Sequence, residues 1–160
     1  MTTVDDHIRH SGGPSITGRE RARETIVVSG VTSDSHTWNL VFLQLLIEEE
    51  GYEVINLGPC TPEDVLVSAC AEHDPSMVVM SSVNGHGFHD GMRMIKTVRE
   101  NFEARELPVV IGGKLGITGA SNSTLSTELT SAGFTAVFDD SADGLVEFRG
   151  LLGSLASIAA

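Results

Sequence analysis

Two residues that can do chemistry, Asp34 and His36, stand two positions apart in the stretch "TSDSHTWN", directly after an apolar run. A carboxylate that accepts a hydrogen bond from one imidazole nitrogen fixes the tautomer of the ring and raises the basicity of the other nitrogen. That second nitrogen can then bind a metal. The same spacing also suits a solvated loop histidine just before a helix, so both interpretations stay open on spacing alone.

Other kinds of site fit these residues less well. A Ser-His-Asp triad is disfavoured because no serine stands in a Gly-x-Ser-x-Gly elbow. The stretch from Asn84 to Gly91, "NGHGFHDG", hints at a dinucleotide loop, but its third glycine comes one residue late and it follows the third strand, not the first. One histidine with one carboxylate is too few for a protein-built zinc site. A lone ligand is better explained by a metal held in its own macrocycle.

Composition narrows the possible partners. The chain has 160 residues, of which 41% are hydrophobic, so one domain with an ordinary core is expected. Lys and Arg total 10 against 22 Asp and Glu, a net charge of -12, which disfavours nucleic-acid binding. We expect no membrane span, because no apolar stretch approaches the roughly 20 residues required. Two cysteines and a polar N-terminus without a signal-peptide core predict the cytoplasm.

Apolar runs alternate with amphipathic stretches along the chain, which predicts strands that alternate with helices. Right-handed crossovers place helices on both faces of such a parallel sheet, and we expect a flavodoxin-like, doubly wound α/β fold of strand order 2-1-3-4-5. The predicted strands are Ile26–Gly30, Glu53–Leu57, Met77–Val83, Pro108–Gly112 and Ala136–Phe138. The predicted helices are Thr37–Glu50, Pro62–Glu72, Asp90–Phe102, Thr124–Ala132 and Ala142–Leu152.

The predicted boundaries follow from local signals. Residues 1–24 lack periodicity and are predicted to form a flexible tail, residues 25–153 the folded domain, and residues 154–160 a C-terminal tail. Thr61 is predicted to cap the second helix through its hydroxyl, with Pro62 as the first helical residue. Gly51 and Gly133 follow helices where a left-handed residue is favoured.

Three irregular segments follow the first, third and fourth strands, namely Thr32–Asn39, Ser81–Gly87 and Gly112–Gly116. In a parallel open sheet, ligands bind beyond the carboxyl ends of the strands, where the strand order reverses. We therefore expect the three segments to converge in space. Glycine allows a ligand to approach the backbone closely, and serine supplies a short donor and acceptor.

Several neighbouring residues have plainer interpretations. Trp38 and Phe42, four apart on the first helix, are interpreted as core packing, and Lys114 as either an anion contact or a solvated lysine. Asp139-Asp140 is predicted to cap the last helix. A phosphoacceptor receiver domain shares the predicted architecture but needs an aspartate where Ser81 stands, so that function is disfavoured.

Taken together, the three segments resemble the signature of cobalamin-binding domains, which reads Asp-x-His-x-x-Gly, then Ser-x-Leu, then Gly-Gly. The corresponding residues here are Asp34 to Asn39 ("DSHTWN"), Ser81 to Val83 ("SSV") and Gly112-Gly113. More narrowly, the chain is similar to the small (sigma) subunit of glutamate mutase, also called methylaspartate mutase. The resemblance extends from about Thr25 to Leu152.

This resemblance implies that cobalamin binds base-off, with its dimethylbenzimidazole withdrawn from cobalt and replaced by His36 as the lower axial ligand. Asp34 would be the hydrogen-bond partner of that histidine. The cofactor-binding residues that the resemblance implies are Ser33, Asp34, Ser35, His36, Thr37, Ser81, Ser82, Val83, Gly112, Gly113, Lys114, Leu115, Gly116 and Ile117.

The resemblance also implies an activity. The chain would be the cobalamin-binding component of an adenosylcobalamin-dependent carbon-skeleton mutase, an isomerase that converts L-glutamate, or a related amino acid, to 3-methylaspartate or its counterpart through radicals. A larger (β/α)₈-barrel catalytic subunit would hold the amino acid, in a heterotetramer. Such a barrel takes about 250 residues, more than the 160 of this chain, so it would be a separate subunit. Catalytic residues are expected on that subunit and none on this chain alone.

Two departures from the signature, Asn39 in place of its glycine and Val83 in place of its leucine, bear on the nucleotide tail of the cofactor. The Asn39 side chain must find room near the corrin or the tail. Two alternatives stay open: a corrinoid carrier for methyl transfer, and a flavodoxin-like binding domain without cofactor chemistry. The segment from Met1 to Glu24 is short and polar for the N-terminal helical bundle of a carrier, which favours the mutase.

Overall fold

A computed structural model describes residues 23–116 and 122–158 of the chain. In those residues, strands and helices alternate strictly. The strands are β1 (Thr25–Gly30), β2 (Glu53–Asn56), β3 (Met77–Ser82), β4 (Val109–Gly113) and β5 (Ala136–Phe138). The helices are α1 (Trp38–Glu49), α2 (Glu63–His73), α3 (Gly87–Asn101), α4 (Asn122–Ala132) and α5 (Ala142–Ile158). Every predicted strand and helix is therefore present. The predicted N-terminal tail, apart from Arg23 and Glu24, and the predicted site residue Ile117 lie outside the described residues.

The strands form one parallel sheet in the order β2-β1-β3-β4-β5, which confirms the predicted flavodoxin-like topology. Its register decides which strand ends meet. Gly30 pairs with Ser81, Ser81 pairs with Gly112, and Ser82 pairs with Gly113. The carboxyl ends of the three central strands therefore lie side by side.

The central strands are apolar on both faces, because helices cover both. On one face, Val27, Val78 and Met80 belong to a core cluster with residues of α2, α3 and α4. On the other face, Ile26 and Val79 belong to a second cluster with residues of α1 and α5. This two-sided burial explains why β1 and β3 lack polar alternation. Among the described residues, no helix combines the length and apolar character that crossing a bilayer requires.

Some boundaries differ from the prediction. The Thr61 hydroxyl does not cap α2: it donates to the Gly58 carbonyl at 2.8 Å, and the extended Pro62 takes the cap position without a side-chain bond. That prediction was wrong because the tight turn after β2 offers Thr61 a nearer partner. Helix α5 continues past Leu152 to Ile158. Gly51 and Gly133 have φ of 95° and 127°, as predicted for residues that follow a helix.

Candidate functional site

The loop between β1 and α1 is held against its neighbours by main-chain hydrogen bonds. Val31 N–H donates to the Ser81 carbonyl at 3.1 Å, and Gly30 N–H donates to the Gly58 carbonyl at 3.0 Å. Gly30 allows this close approach, since a Cβ at that position would lie 3.1 Å from the Cα of Pro59 and the neighbouring chain would have to move by a few tenths of an ångström. The loop therefore leaves the sheet in a fixed direction, towards the end of β3.

Asp34 and His36 form the hydrogen-bonded pair that is one of the two interpretations of their spacing. His36 Nδ1 lies 2.6 Å from Asp34 Oδ1, and the same oxygen accepts the His36 backbone N–H at 3.0 Å. The other oxygen of Asp34 accepts backbone N–H groups from Val83 and Asn84. Asp34 is 1% exposed, whereas the imidazole is 45% exposed. The buried carboxylate thus orients the exposed ring through Nδ1, and Nε2 is the nitrogen left to bind a metal.

These contacts also set the charge state of Asp34. Burial by itself would raise the pKa of this carboxyl, but the hydrogen bonds from Val83, His36 and Asn84 outweigh burial and hold the pKa below its ordinary value. Asp34 is therefore a carboxylate at neutral pH. As an acceptor it holds a proton of His36 on Nδ1, so Nε2 is the nitrogen that faces away from the carboxylate and is available to a metal.

A second set of bonds braces the same loop from α3. Asp90 accepts both the backbone N–H and the hydroxyl of Ser33, and its other oxygen accepts from Arg93 at 3.3 Å. Arg93 in turn donates to Glu63 on α2 at 2.6 Å. Asn84 adds a bond from its amide to the Ser33 carbonyl at 3.0 Å. Ser33, which precedes Asp34, is therefore held from two sides: by Asn84, in a segment that was expected to lie near it, and by Asp90, whose contact sequence reasoning did not identify.

A cavity of about 530 Å³ opens beside this loop, at the carboxyl ends of β3, β4 and β5. We call it the strand-end cavity. Among the predicted site residues, it is lined by Ser81, Ser82, Val83, Gly112, Gly113 and Lys114. Its other walls come from α1, from α5, from the segment between β5 and α5, and from further residues of β3, β4 and β5. They are formed by Trp38, Asn39, Phe42, Leu43, Val79, Met80, Val110, Phe138, Asp139, Asp140, Ser141, Ala142, Gly144, Leu145 and Phe148.

The remaining predicted site residues lie elsewhere. Ser35 and Thr37 are exposed in the loop that carries His36, and the Thr37 carbonyl starts α1 by accepting N–H groups of that helix. Leu115 is buried in the core cluster on the other face of the sheet, away from the cavity. Gly116 lies against Leu125, which a Cβ would approach to 3.1 Å. Ile117 is not among the described residues.

The two glycines of β4 differ in what they allow. Gly113 has a φ of 98°, and a Cβ there would lie 2.1 Å from the Ser82 carbonyl oxygen. Only glycine fits that position. A Cβ on Gly112 would make only ordinary contacts, at 3.5 Å from Phe138. Gly113 therefore shapes the turn, while Gly112 leaves the cavity wall smooth.

Two aromatic residues correct a prediction. Trp38 is 63% exposed and Phe42 is 48% exposed, so neither packs in the core. Their four-residue spacing fits a core stripe as well as a surface one, but the stripe that packs on the sheet is instead formed by Leu40 and Ile47. Both aromatic rings lie at the strand-end cavity. They provide apolar surface for a flat or bulky ligand.

The segment after β5 carries the predicted helix cap, in a modified form. The Ser141 hydroxyl accepts the Gly144 N–H at 3.1 Å, and it is therefore Ser141 that caps α5. Asp139 accepts both the N–H and the hydroxyl of Ser141, so it supports the cap indirectly. These hydrogen bonds hold one rim of the cavity.

Asn39, which stands where the signature has glycine, lies in the cavity wall and is only 6% exposed. Its Nδ2 donates to the Ser81 hydroxyl at 2.7 Å. Its Oδ1 and the Thr32 hydroxyl are buried and have no hydrogen-bond partner within the described part of the chain. An unpaired buried acceptor costs about 1–3 kcal/mol, so the cavity wall at Asn39 lacks a hydrogen-bond donor for Oδ1.

The comparisons with known proteins agree with this geometry. Residues 24–148 match the model of the B12 binding domain. The chain therefore belongs to the B12-binding domain family.

The similar curated proteins include several glutamate mutase sigma subunits. The glutamate mutase sigma subunit 1 of Haloarcula marismortui is 30% identical over 130 residues, which cover 80% of this chain and 83% of that relative. The glutamate mutase sigma subunit of Yersinia enterocolitica is 31% identical and covers 74% and 80% respectively. This chain is accordingly a cobalamin-binding protein related to glutamate mutase sigma subunits.

Solved structures share the fold. A cobalamin-binding protein from Desulfitobacterium hafniense superimposes with a TM-score of 0.63 at 22% identity, over 81% of this chain and 59% of that chain. The methanol:cobalamin methyltransferase complex MtaBC from Methanosarcina barkeri gives a TM-score of 0.60 at 19% identity, over 85% and 49%. At these identities the likeness is one of fold.

Proposed function

We propose that this chain is the cobalamin-binding subunit of an adenosylcobalamin-dependent carbon-skeleton mutase of the glutamate mutase type. The observation that carries the proposal is the pair of Asp34 and His36, joined at 2.6 Å beside a cavity lined with glycine and serine. The pair supplies one oriented imidazole, and the cavity supplies room for a displaced nucleotide tail. His36 is the proposed lower axial ligand of cobalt.

The proposed ligation suits the exposure of the two residues. A cofactor must reach the imidazole, and His36 is exposed while its carboxylate partner is buried. Within the described residues, no group of three or more His, Cys, Asp and Glu side chains is placed to hold a metal ion. A metal that already carries four equatorial nitrogens of a macrocycle needs only one such ligand from below. His36 fits that requirement.

The strand-end cavity suits the nucleotide tail in shape and polarity. Gly112 and Gly113 contribute no side chains to its β4 wall, and the Trp38 and Phe42 rings add apolar surface elsewhere in the lining. Ser81 offers a hydroxyl, and Lys114 lies at the cavity with an exposed side chain that can approach a phosphate. The orphaned Asn39 Oδ1 is a further indication that a ligand completes this wall.

When bound, adenosylcobalamin supplies a carbon radical by homolysis of its cobalt–carbon bond, and the cofactor carries that chemistry itself. The residues of this chain bind and orient. Asp34 holds the tautomer and direction of His36, and the strand-end cavity keeps the displaced base away from cobalt. The amino-acid substrate is proposed to be L-glutamate, or a related amino acid, rearranged to 3-methylaspartate or its counterpart.

A separate, larger catalytic subunit is part of the proposal, because the relatives are named sigma subunits and the strand-end site is open to solvent. We propose a (β/α)₈ barrel, which takes about 250 residues, assembled with this chain as a heterotetramer in the cytoplasm. A corrinoid carrier for methyl transfer is the second candidate, since the fold of the methanol:cobalamin methyltransferase complex is similar.

Titration with adenosylcobalamin, followed by absorbance, tests the proposal. The wild-type chain should bind and show the base-off spectrum with histidine on cobalt, and His36→Ala should lose that spectrum. His73→Ala is the matched control, because His73 is an exposed histidine at the end of α2. An unchanged spectrum and affinity in His36→Ala contradict the ligand assignment.

Activity separates the two candidates. If the protein is a mutase component, we expect L-glutamate to be rearranged only after the larger subunit is added. Rearrangement by this chain alone contradicts the division of labour, and methyl transfer from methylcobalamin to a thiol acceptor, without any rearrangement, favours the carrier.

A further inference from the structure

We propose that Asn39 is a specificity-determining residue of the strand-end cavity. Together with Ser81 it selects corrinoids by the hydrogen-bonding groups of the base at the end of the nucleotide tail. The pair favours a base that carries an amino group beside ring nitrogens, such as adenine, over dimethylbenzimidazole. The inference rests on the proposed function, because it concerns the same cavity.

The position of Asn39 gives it direct influence on the tail. It is the second residue of α1, it lines the strand-end cavity, and it is 6% exposed. The signature of the family has a glycine at this position and so leaves no side chain there. In this chain a carboxamide occupies part of the wall, and any base in the cavity must pack against it.

The hydrogen bonds of the pair define what it offers. Asn39 Nδ2 donates to the Ser81 hydroxyl oxygen at 2.7 Å, so the Ser81 proton is not used towards Asn39 and is available to another acceptor. Asn39 Oδ1 has no partner in the described part of the chain. The pair therefore holds one hydroxyl donor and one buried amide acceptor that the described part of the protein does not use.

These two groups discriminate between bases. Dimethylbenzimidazole, once withdrawn from cobalt, has one ring nitrogen that accepts and no group that donates. It can satisfy Ser81 but leaves Asn39 Oδ1 unpaired. Adenine has several ring nitrogens and an amino group, so it can satisfy both once the carboxamide turns about its Cβ–Cγ bond and brings the buried Oδ1 to the cavity, in exchange for part of the bond from Nδ2 to Ser81.

The burial of Asn39 makes the mismatch matter. A site with an unpaired buried polar group rejects a ligand that lacks the matching group, because water cannot take its place. The other polar residues of the cavity, such as Lys114 and Asp140, are exposed, and water can satisfy them. Asn39 is therefore the residue at which a difference in the base is felt most strongly.

The test measures dissociation constants by absorbance titration for three corrinoids in adenosyl form. Adenosylcobalamin carries dimethylbenzimidazole, the second carries adenine in its place, and adenosylcobinamide has no nucleotide tail. The proteins are the wild type, Asn39→Ala and Asn39→Gly, with Gln44→Ala as a control on another face of α1. The alanine variant keeps the test valid if glycine frays the helix.

We expect the wild type to bind the adenine corrinoid about 10-fold more tightly than adenosylcobalamin. Both Asn39 variants should lose this preference, while Gln44→Ala keeps it and adenosylcobinamide binds all four proteins alike. A ratio that is the same in the wild type and the Asn39 variants overturns the inference and leaves the proposed function standing. If the wild type binds none of the three corrinoids, the proposed function is wrong and this inference fails with it.

Discussion

His36 Nδ1 lies 2.6 Å from Asp34 Oδ1, while the second oxygen of the same carboxylate accepts backbone N–H groups at the end of β3. One buried carboxylate therefore links the imidazole to the neighbouring strand. The link fixes the ring at the edge of the sheet where the strand-end cavity opens. Position and tautomer of His36 depend on the same residue.

Asp34→Asn tests this link. An amide has nearly the same size as the carboxylate, but its NH₂ group would face some of the N–H donors that now bind Asp34. The tautomer of His36 is then no longer fixed. We expect cobalamin affinity to fall about 10- to 100-fold, as for other orienting partners of metal-bound histidines. Asp74→Asn is the control, because Asp74 is exposed and has the left-handed backbone that asparagine tolerates. An affinity equal to wild type would show that Asp34 does not orient the ligand.

The two glycines of β4 predict opposite outcomes. Gly113→Ala places a methyl group 2.1 Å from the Ser82 carbonyl oxygen in a left-handed conformation, which by itself costs about 1–2 kcal/mol. We expect the free energy of unfolding to drop by more than about 2 kcal/mol, as measured by urea denaturation. Gly112→Ala meets only ordinary contacts and should change stability by less than about 1 kcal/mol.

The same pair also separates stability from binding. Gly112 lines the strand-end cavity, so its methyl group should weaken adenosylcobalamin binding in a protein that is still folded. Equal losses of stability in the two variants would mean that the turn at Gly113 is less restricted than its φ indicates.

Asp90 should stabilise both the fold and the site. Asp90→Ala leaves the Ser33 N–H and hydroxyl without their acceptor and removes one of the two acceptors of Arg93, so the free energy of unfolding should fall by about 1–3 kcal/mol. Asp143→Ala is the matched control, since Asp143 lies likewise in the first turn of a helix but is exposed. A loss of the same size in both variants would mean that the effect comes from a negative charge near a helix N-terminus and not from the bonds to Ser33.

The two cysteines should differ in reactivity and in their effect on pH dependence. Burial raises the pKa of the Cys70 thiol to about 11, whereas Cys60 is exposed. Iodoacetamide at pH 8 should therefore modify Cys60 in the native protein and Cys70 only after unfolding, as read by mass spectrometry. Modification of both at equal rates in the native state would contradict the burial of Cys70.

The sign of the pH effect follows from the same shift. The unfolded thiol ionises near its ordinary pKa of about 8.5, while the folded thiol stays neutral. The stability contributed by Cys70 is thus complete below pH 8.5 and is lost as the pH rises towards 11, by at most about 1.4 kcal/mol per pH unit. Cys70→Ala should lack this component in urea denaturation curves recorded across that range.

Much of this fold could be predicted because its signals are local or topological. Unbroken apolar runs such as Met77–Met80 mark strands that are covered on both faces, and the alternation with helices leads to a parallel sheet. The topology then places the loops after β1, β3 and β4 together without any knowledge of side chains. Asp34 and His36 are two residues apart, so their contact was one of two outcomes that the spacing allowed, and the resemblance to cobalamin-binding domains favoured it.

The remaining parts depend on contacts between distant residues. The bond from Asp90 to Ser33 spans 57 positions, and nothing near Asp90 in the sequence indicates it. The exposure of Trp38 and Phe42 is decided by which stripe of α1 faces the sheet, which a four-residue spacing does not specify. The bond from Asn39 to Ser81 likewise depends on how α1 packs against the end of β3, which the sequence does not specify.

Ligation of cobalt by His36 is tested most directly by electron paramagnetic resonance of the complex with cob(II)alamin, using protein labelled uniformly with ¹⁵N and unlabelled cofactor. A ¹⁴N axial ligand splits the cobalt lines into triplets and a ¹⁵N ligand into doublets. We expect doublets from the labelled wild type and their loss in His36→Ala. Triplets in the labelled protein would show that the base of the cofactor stays on cobalt, which contradicts the proposed role of His36.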